Sequence, residues 1–189
     1  MNRAENDVAA QYLVRRSVSK AGLGLLIPHV YAWASATTTD ATDIKGAGWI
    51  LSEWRGGIDL DSHFPSLSLH GKELVLDQMA AIFKAIQTVT LPEGVTKFGG
   101  LAFDSNGHIV SGKAPFRLDE PVDSFLELKV GGLHRSLEAA ARSPVIQGWK
   151  ENGVDIRIQK FLTSGEPEEL LADVDGSEKG LIHSDFSMY

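Results

Sequence analysis

Cysteine is missing from the 189 residues of this chain. Disulfide bonds, zinc sites built on thiolates and a cysteine nucleophile are therefore excluded. No apolar run reaches the roughly 18 residues that a membrane-spanning helix needs. The first seven residues include Glu5 and Asp7 and lack the character of a secretion or transit signal. We therefore expect a cytoplasmic protein with no membrane partner.

Positive charge is also scarce, since 18 Lys and Arg face 25 Asp and Glu, for a net charge of −7. A surface that binds nucleic acid needs clustered Lys and Arg to neutralise phosphates, so we expect no nucleic-acid partner. Hydrophobic residues make up 43% of the chain and charged residues 23%, which are ordinary values for a globular protein. The length fits one large domain or two small lobes.

The amino-terminal part of the chain has the pattern of a helix. Val8, Tyr12 and Leu13 fall on one side of a helix, which predicts a helix over 4–18. Gly22 is the expected end, because helices often terminate at glycine.

Two strands are predicted next. Residues 29–34 and 48–54 are mostly apolar and favour β structure. Arg55-Gly56-Gly57 stops the second strand. We place a lobe boundary there, which divides the chain into 1–56 and 57–189.

The remaining sequence is mainly helical in pattern. The strongest amphipathic helix is predicted over 71–90 and ends before Pro92. Its apolar positions are Val75, Met79, Ile82, Phe83, Ile86 and Val89. Helical patterns return over 124–150 and 154–163, with expected breaks at Gly131-Gly132 and Ser143-Pro144.

A β-hairpin is predicted around Asn106-Gly107, because this dipeptide stands between two short β runs. The following residues also match a phosphate-binding loop, Gly-x-x-x-x-Gly-Lys, from Gly107 to Lys113. Ala114 stands where that motif needs Ser or Thr to reach Mg²⁺. The context favours the hairpin.

Metal-ligating residue types occur at Asp59, Asp61, His63 and His70. Their spacing fits no compact metal motif, so we interpret the segment as a solvated loop and predict no metal ligands.

One cluster near the end of the chain suggests catalysis. Leu181 and Ile182 precede His183-Ser184-Asp185, so a carboxylate follows an apolar, β-favouring run. Such a carboxylate is well placed to accept a hydroxyl proton. A structural turn explains the short motif equally well, and both interpretations stay open on these residues alone.

The order of several segments is more specific than any one of them. These are Ile27–Trp33, Gly46–Gly56, Gln78, Phe98–Gly107 and the His-x-Asp motif. The series closely resembles the aminoglycoside phosphotransferase family, especially its fungal members of unassigned substrate, over essentially the whole chain. The resemblance implies an α+β, protein-kinase-like fold. It implies a partial β-containing N-terminal lobe followed by an incomplete, mainly helical C-terminal lobe.

The resemblance also implies a reaction. Asp185 would be the catalytic base that orients a hydroxyl for attack on the γ-phosphate of ATP, and His183 would support it. The segment that joins the lobes would lie beside the adenine, and it contains Ser52, Glu53, Trp54 and Arg55. ATP and Mg²⁺ are the implied cofactors. The implied partner is a small-molecule acceptor with a hydroxyl group, or a protein.

Other parts of the family's machinery have no counterpart. The Asn of the catalytic loop would fall one position past Tyr189, and the magnesium-binding Asp would follow it. The Gly-rich loop and the phosphate-binding Lys would precede Met1. We therefore expect a chain truncated at both ends, without metal ligands and inactive alone. The alternative is a non-catalytic kinase-like binding module.

Overall fold

The computed structural model describes residues 3–23, 26–35, 48–113, 120–146, 148–174 and 178–182. They form a mixed helix and strand structure, as expected for an α+β chain. Internal contacts divide them into two units, one reaching to Pro92 and including residues 180–182, the other covering Glu93–Lys179. The lobe boundary after Gly56 stays a prediction. Within the described ranges, no helix combines the length and the apolar character that crossing a membrane requires.

The first predicted helix is confirmed as α1, Arg3–Lys20. Its buried residues are Ala4, Val8, Ala9, Leu13 and Val18. Tyr12 was expected on this apolar side, which is wrong, because 63% of its surface is exposed. The buried residues of α1 are small or aliphatic, and they form a stripe that winds around the helix. Such side chains allow neighbouring elements to approach closely.

Helix α1 ends where its sequence predicts. Gly22 has a φ of +79°, a left-handed conformation that glycine adopts without steric cost. The Gly22 N–H donates to the Ser19 carbonyl at 3.1 Å, and the Leu23 N–H donates to the Val18 carbonyl at 2.9 Å. This pair of bonds is a Schellman motif, which satisfies carbonyls that the helix end would leave unpaired.

The two predicted strands are confirmed as β1, Val30–Ala34, and β2, Trp49–Ser52. They pair antiparallel, with Ala34 opposite Trp49 and Val30 opposite Ser52. The register shifts between Val30 and Ala32, which marks an irregularity in β1. Helix α1 contacts both strands and also α3, described next, so it lies at the centre of the first unit.

A short helix and a long one follow β2. Helix α2 is Leu60–His63, a 3₁₀ turn covers Phe64–Ser66, and α3 is Leu69–Gln87. The long amphipathic helix is thus confirmed. Only the carboxyl-terminal end of α3 is buried, at Ala85 and Ile86. The Ser17 hydroxyl of α1 donates to the Ala85 carbonyl at 2.7 Å, which ties the two helices together there.

The second unit begins with the predicted hairpin. Strands β3, Gly100–Phe103, and β4, Ile109–Gly112, pair antiparallel, with Phe103 opposite Ile109. Between them, the Gly107 N–H donates to the Asp104 carbonyl and the Asp104 N–H donates to the His108 carbonyl. Gly107 has a φ of +80°, the conformation that this turn needs and glycine supplies.

Helix α4, Phe125–Arg142, corrects one expectation. It passes through Gly131-Gly132 without a break, because glycine lowers helix propensity but keeps its backbone N–H for the helical hydrogen bond, unlike proline. A capping box between Ser124 and Glu127 stabilises its start. The expected break at Ser143-Pro144 is confirmed. The helical pattern predicted beyond it to residue 150 is wrong, because residues 145, 146 and 148–150 form bends, turns or irregular backbone.

The remaining elements are short. A 3₁₀ turn covers Glu151–Gly153, and helices α5, Val154–Leu162, and α6, Glu166–Leu170, follow. Helices α4 and α5 both contact α6.

Candidate functional site

The residues expected to catalyse phosphoryl transfer are His183 and Asp185, and both lie outside the described residues. Their roles therefore stay predictions. The structure does describe the expected nucleotide-binding residues at the end of β2, and these define the candidate site.

The candidate site begins where β2 ends. Ser52 is the last residue of β2 and pairs with Val30. The Glu53 N–H donates to the His29 carbonyl at 2.7 Å, so the pairing of the two chain segments continues one residue past the strand. From Glu53 to Asp59 the chain has no regular secondary structure until α2 begins.

The Glu53 carboxylate is the most heavily contacted group of this segment. Its Oε2 accepts from the His29 N–H at 3.1 Å and from Arg55 Nη2 at 2.7 Å. Arg15 Nη1 of α1 lies 3.9 Å from the same oxygen. That guanidinium also donates to the Ile27 carbonyl at 2.8 Å. We call Arg15, Glu53 and Arg55, with the backbone of His29, the Glu53 cluster.

The Glu53 cluster determines how the chain leaves the sheet. Glu53 and His29 exchange two hydrogen bonds, one through the backbone and one through the carboxylate, so two chain segments are held together at one point. The side chain of Glu53 is 30% exposed, so these charge-assisted bonds are only partly screened by water. The cluster therefore positions the residues that follow it.

Those following residues leave their backbone open to a ligand. Within the described part of the chain, no hydrogen bond engages the peptide groups of Trp54, Arg55, Gly56 or Gly57. The Trp54 side chain is 89% exposed. A run of unengaged N–H and C=O groups beside an exposed aromatic ring can hydrogen-bond and stack against a planar heterocycle.

The segment from Gly107 to Lys113, which matches the phosphate-binding loop motif, belongs to a hairpin, as predicted. Gly112 belongs to β4 and pairs with Gly100, and Lys113 Nζ lies 2.9 Å from Glu120 Oε1. A phosphate-binding loop leads into the amino terminus of a helix, whose N–H groups bind the phosphate. The residues after Gly107 instead enter strand β4, so the segment lacks the geometry of such a loop.

The candidate metal ligands lie on two helices, which replace the solvated loop expected from the sequence. Asp59 caps α2, Asp61 and His63 lie in α2, and His70 lies in α3. The Asp59 carboxylate accepts from the Asp61 and Ser62 N–H groups, both at 3.3 Å, and caps α2. His63 Nδ1 lies 2.9 Å from the Asp59 carbonyl. In the ranges that the structure describes, no three side chains of metal-ligating type gather.

Hydrogen bonds lower the pKa of two carboxyl groups among the described residues, Asp59 and Asp104. Asp104 Oδ1 accepts from the Asn106 and His108 N–H groups, both at 2.8 Å. The bond from the His108 backbone, followed by that from Asn106, holds the pKa of Asp104 below its ordinary value of 3.8. Because the folded pKa is lowered, Asp104 stabilises the hairpin above pH 3.8, and this contribution disappears as the pH falls through the folded pKa.

We therefore expect the chain to lose stability on acidification below pH 3.8 more steeply than an Asp104→Asn variant, whose amide does not titrate in this range. Thermal unfolding followed across this pH range measures the difference. Asp77→Asn on α3 is the control and should keep the acid-dependent loss. Parallel curves for the unaltered protein and Asp104→Asn would contradict the expectation.

Comparison with known proteins identifies no relative of this chain. No family model matches the chain, and no match was found among curated proteins or solved structures.

Proposed function

We propose that this chain is part of an ATP-dependent phosphotransferase that moves the γ-phosphate to a hydroxyl group of a small molecule or protein. On this proposal the adenine binds at the segment after β2, where no hydrogen bond from a described residue engages the peptide groups of Trp54 to Gly57. The resemblance to the aminoglycoside phosphotransferases motivates the reaction. The single observation that supports the binding site is this open backbone next to an exposed tryptophan.

The described residues suit a nucleotide base by their chemistry. Adenine presents one donor and neighbouring acceptors along an edge, and an unpaired peptide segment offers the matching groups. The Glu53 cluster keeps that segment in place before a ligand arrives, which lowers the entropy that binding would otherwise cost. Ser52, Glu53 and the Arg55 guanidinium thus act by positioning. The Trp54 ring and the peptide groups of Trp54 and Arg55 would contact the base.

The chemistry on this proposal rests on Asp185. ATP supplies the transferable phosphoryl group when bound. Asp185 would accept the proton of the acceptor hydroxyl and hold that oxygen in line, and His183 would orient the loop. Among the described residues no three side chains of metal-ligating type gather. The resemblance places the phosphate-binding Lys and the magnesium-binding Asp outside this chain. We therefore propose that the chain alone binds nucleotide without turnover.

Nucleotide binding can be followed by the fluorescence of the protein's four tryptophans. We expect adenosine nucleotides to change the emission saturably, because the base would stack near Trp54. The Trp54→Phe variant should lose that change, whereas Trp149→Phe in the second unit should keep it. No saturable change, or one that survives in Trp54→Phe, would overturn the proposed site.

Turnover is measured separately by phosphate release and by transfer to hydroxyl acceptors. We expect rates at background for the chain alone. A magnesium-dependent rate that Asp185→Asn abolishes would show that the protein is a complete catalyst, contrary to the proposal.

A further inference from the structure

Two asparagines of this protein precede glycine, at Asn106-Gly107 and Asn152-Gly153. Asparagine is a thermolabile residue. In its deamidation the backbone nitrogen of the next residue loses its proton and bonds to the asparagine Cγ. The bond from Cγ to the amide nitrogen Nδ2 breaks, and the NH₂ group takes up that proton and leaves as ammonia. Water then opens the cyclic imide to aspartate or isoaspartate. Glycine favours the attack because it has no Cβ in the way.

The Asn106-Gly107 dipeptide lies in a hydrogen-bonded turn. The Gly107 N–H, which carries the attacking nitrogen, donates to the Asp104 carbonyl at 3.0 Å. The Asn106 N–H donates to Asp104 Oδ1 at 2.8 Å. Strands β3 and β4 close the turn on both sides. The attacking nitrogen becomes available only when this turn opens, so the hairpin protects Asn106 although the residue is exposed.

The Asn152-Gly153 dipeptide has weaker hydrogen bonding. Among the described residues, Asn152 is the one non-glycine residue with positive φ, at 60°, and Gly153 follows it at 66°. The Gly153 N–H reaches the Lys150 carbonyl only at 3.4 Å, beyond the usual range for such a bond. Asn152 is exposed and precedes α5 in a single 3₁₀ turn.

We propose that Asn152-Gly153 is the site at which the folded protein deamidates spontaneously, and that the hairpin protects Asn106-Gly107. Water is the only co-reactant. The product carries a new carboxylate next to α5, and isoaspartate also lengthens the backbone there by one methylene. The modification therefore alters both the charge beside α5 and the backbone that leads into this helix.

Trypsin separates the two steps into different peptides, since Lys97 and Lys113 bound residues 98–113 while Lys150 and Arg157 bound residues 151–157. The full-length protein is incubated at mildly alkaline pH, and each peptide is followed by mass spectrometry and chromatography of its aspartate and isoaspartate forms. We expect Asn152 to react at least about fivefold faster than Asn106, the ratio for roughly one net hydrogen bond. In denaturant the two rates should converge. A ratio that is the same in the folded and the denatured protein would overturn the proposal.

The protection of Asn106 has its own test. In Asp104→Ala the carboxylate that holds the turn is lost, so the Asn106 rate should rise severalfold while the Asn152 rate stays unchanged in the same sample. An unchanged Asn106 rate would refute protection by the turn. A rise at both sites would show general unfolding and would equally refute it.

Discussion

Replacing Ile86 by alanine is expected to destabilise the first unit by about 3 kcal/mol. Ile86 lies near the carboxyl-terminal end of α3, is only 7% exposed and stands beside the buried Ala85. Shortening its side chain removes buried methyl and methylene groups and leaves a cavity at this end of α3. The packing there is held in register by the Ser17–Ala85 hydrogen bond, so neighbouring residues cannot easily close the gap.

A matched variant on the same helix is Leu74→Ala. Leu74 is 50% exposed, so its truncation should cost less than about 1 kcal/mol. Urea unfolding followed by tryptophan fluorescence measures both variants, in a Trp149→Phe background that leaves the three tryptophans of the first unit. Equal losses at the two positions would contradict the burial of the α1–α3 contact.

Replacing Gly112 by alanine is expected to destabilise the hairpin of the second unit by about 2–3 kcal/mol. A Cβ at this position would stand 2.7 Å from the Leu101 carbonyl carbon, 2.9 Å from the Ala102 nitrogen and 2.9 Å from the Ala102 Cβ. All these atoms belong to the opposite strand or are attached directly to its backbone. Relief of this steric clash therefore requires β3 and β4 to separate, because no flexible side chain can move aside.

Gly132→Ala is the matched glycine substitution and should have the opposite sign. A Cβ there meets nothing within 4 Å, and Gly132 lies in the middle of α4. Alanine should stabilise the helix by about 1 kcal/mol, since glycine loses more backbone freedom on folding. Hydrogen exchange of residues 98–113 and of α4, together with urea unfolding, measures both changes. Destabilisation by Gly132→Ala, or none by Gly112→Ala, would contradict these contacts.

Several parts of the fold could be predicted because their causes are local. The turn at Asn106-Gly107 depends on a left-handed glycine inside one short segment, and Gly22 ends α1 for the same reason. The end of α4 before Pro144 also follows from one residue's geometry. Tyr12 was misplaced because a helical pattern shows which residues share a side but not which neighbour that side meets.

The candidate site was predictable only in part. Ser52, Glu53, Trp54 and Arg55 are selected by a resemblance, and their role in binding a nucleotide stays a prediction. The strand predicted over 48–54 is shorter in the structure, so Ser52 ends β2 and the other three residues follow it. The contact between Arg15 and Glu53 had no signal in the sequence, because the two residues are far apart in the chain.

By itself, the sequence determined the turns, the helix ends and the alternation of helix and strand, since glycine, proline and apolar spacing act over a few residues. Tertiary structure alone decided which carboxylate gathers donors after β2, which peptide groups are not engaged by any described residue, and which of two identical dipeptides is enclosed by paired strands. These outcomes depend on contacts between distant segments, and such contacts exist only once the protein has packed.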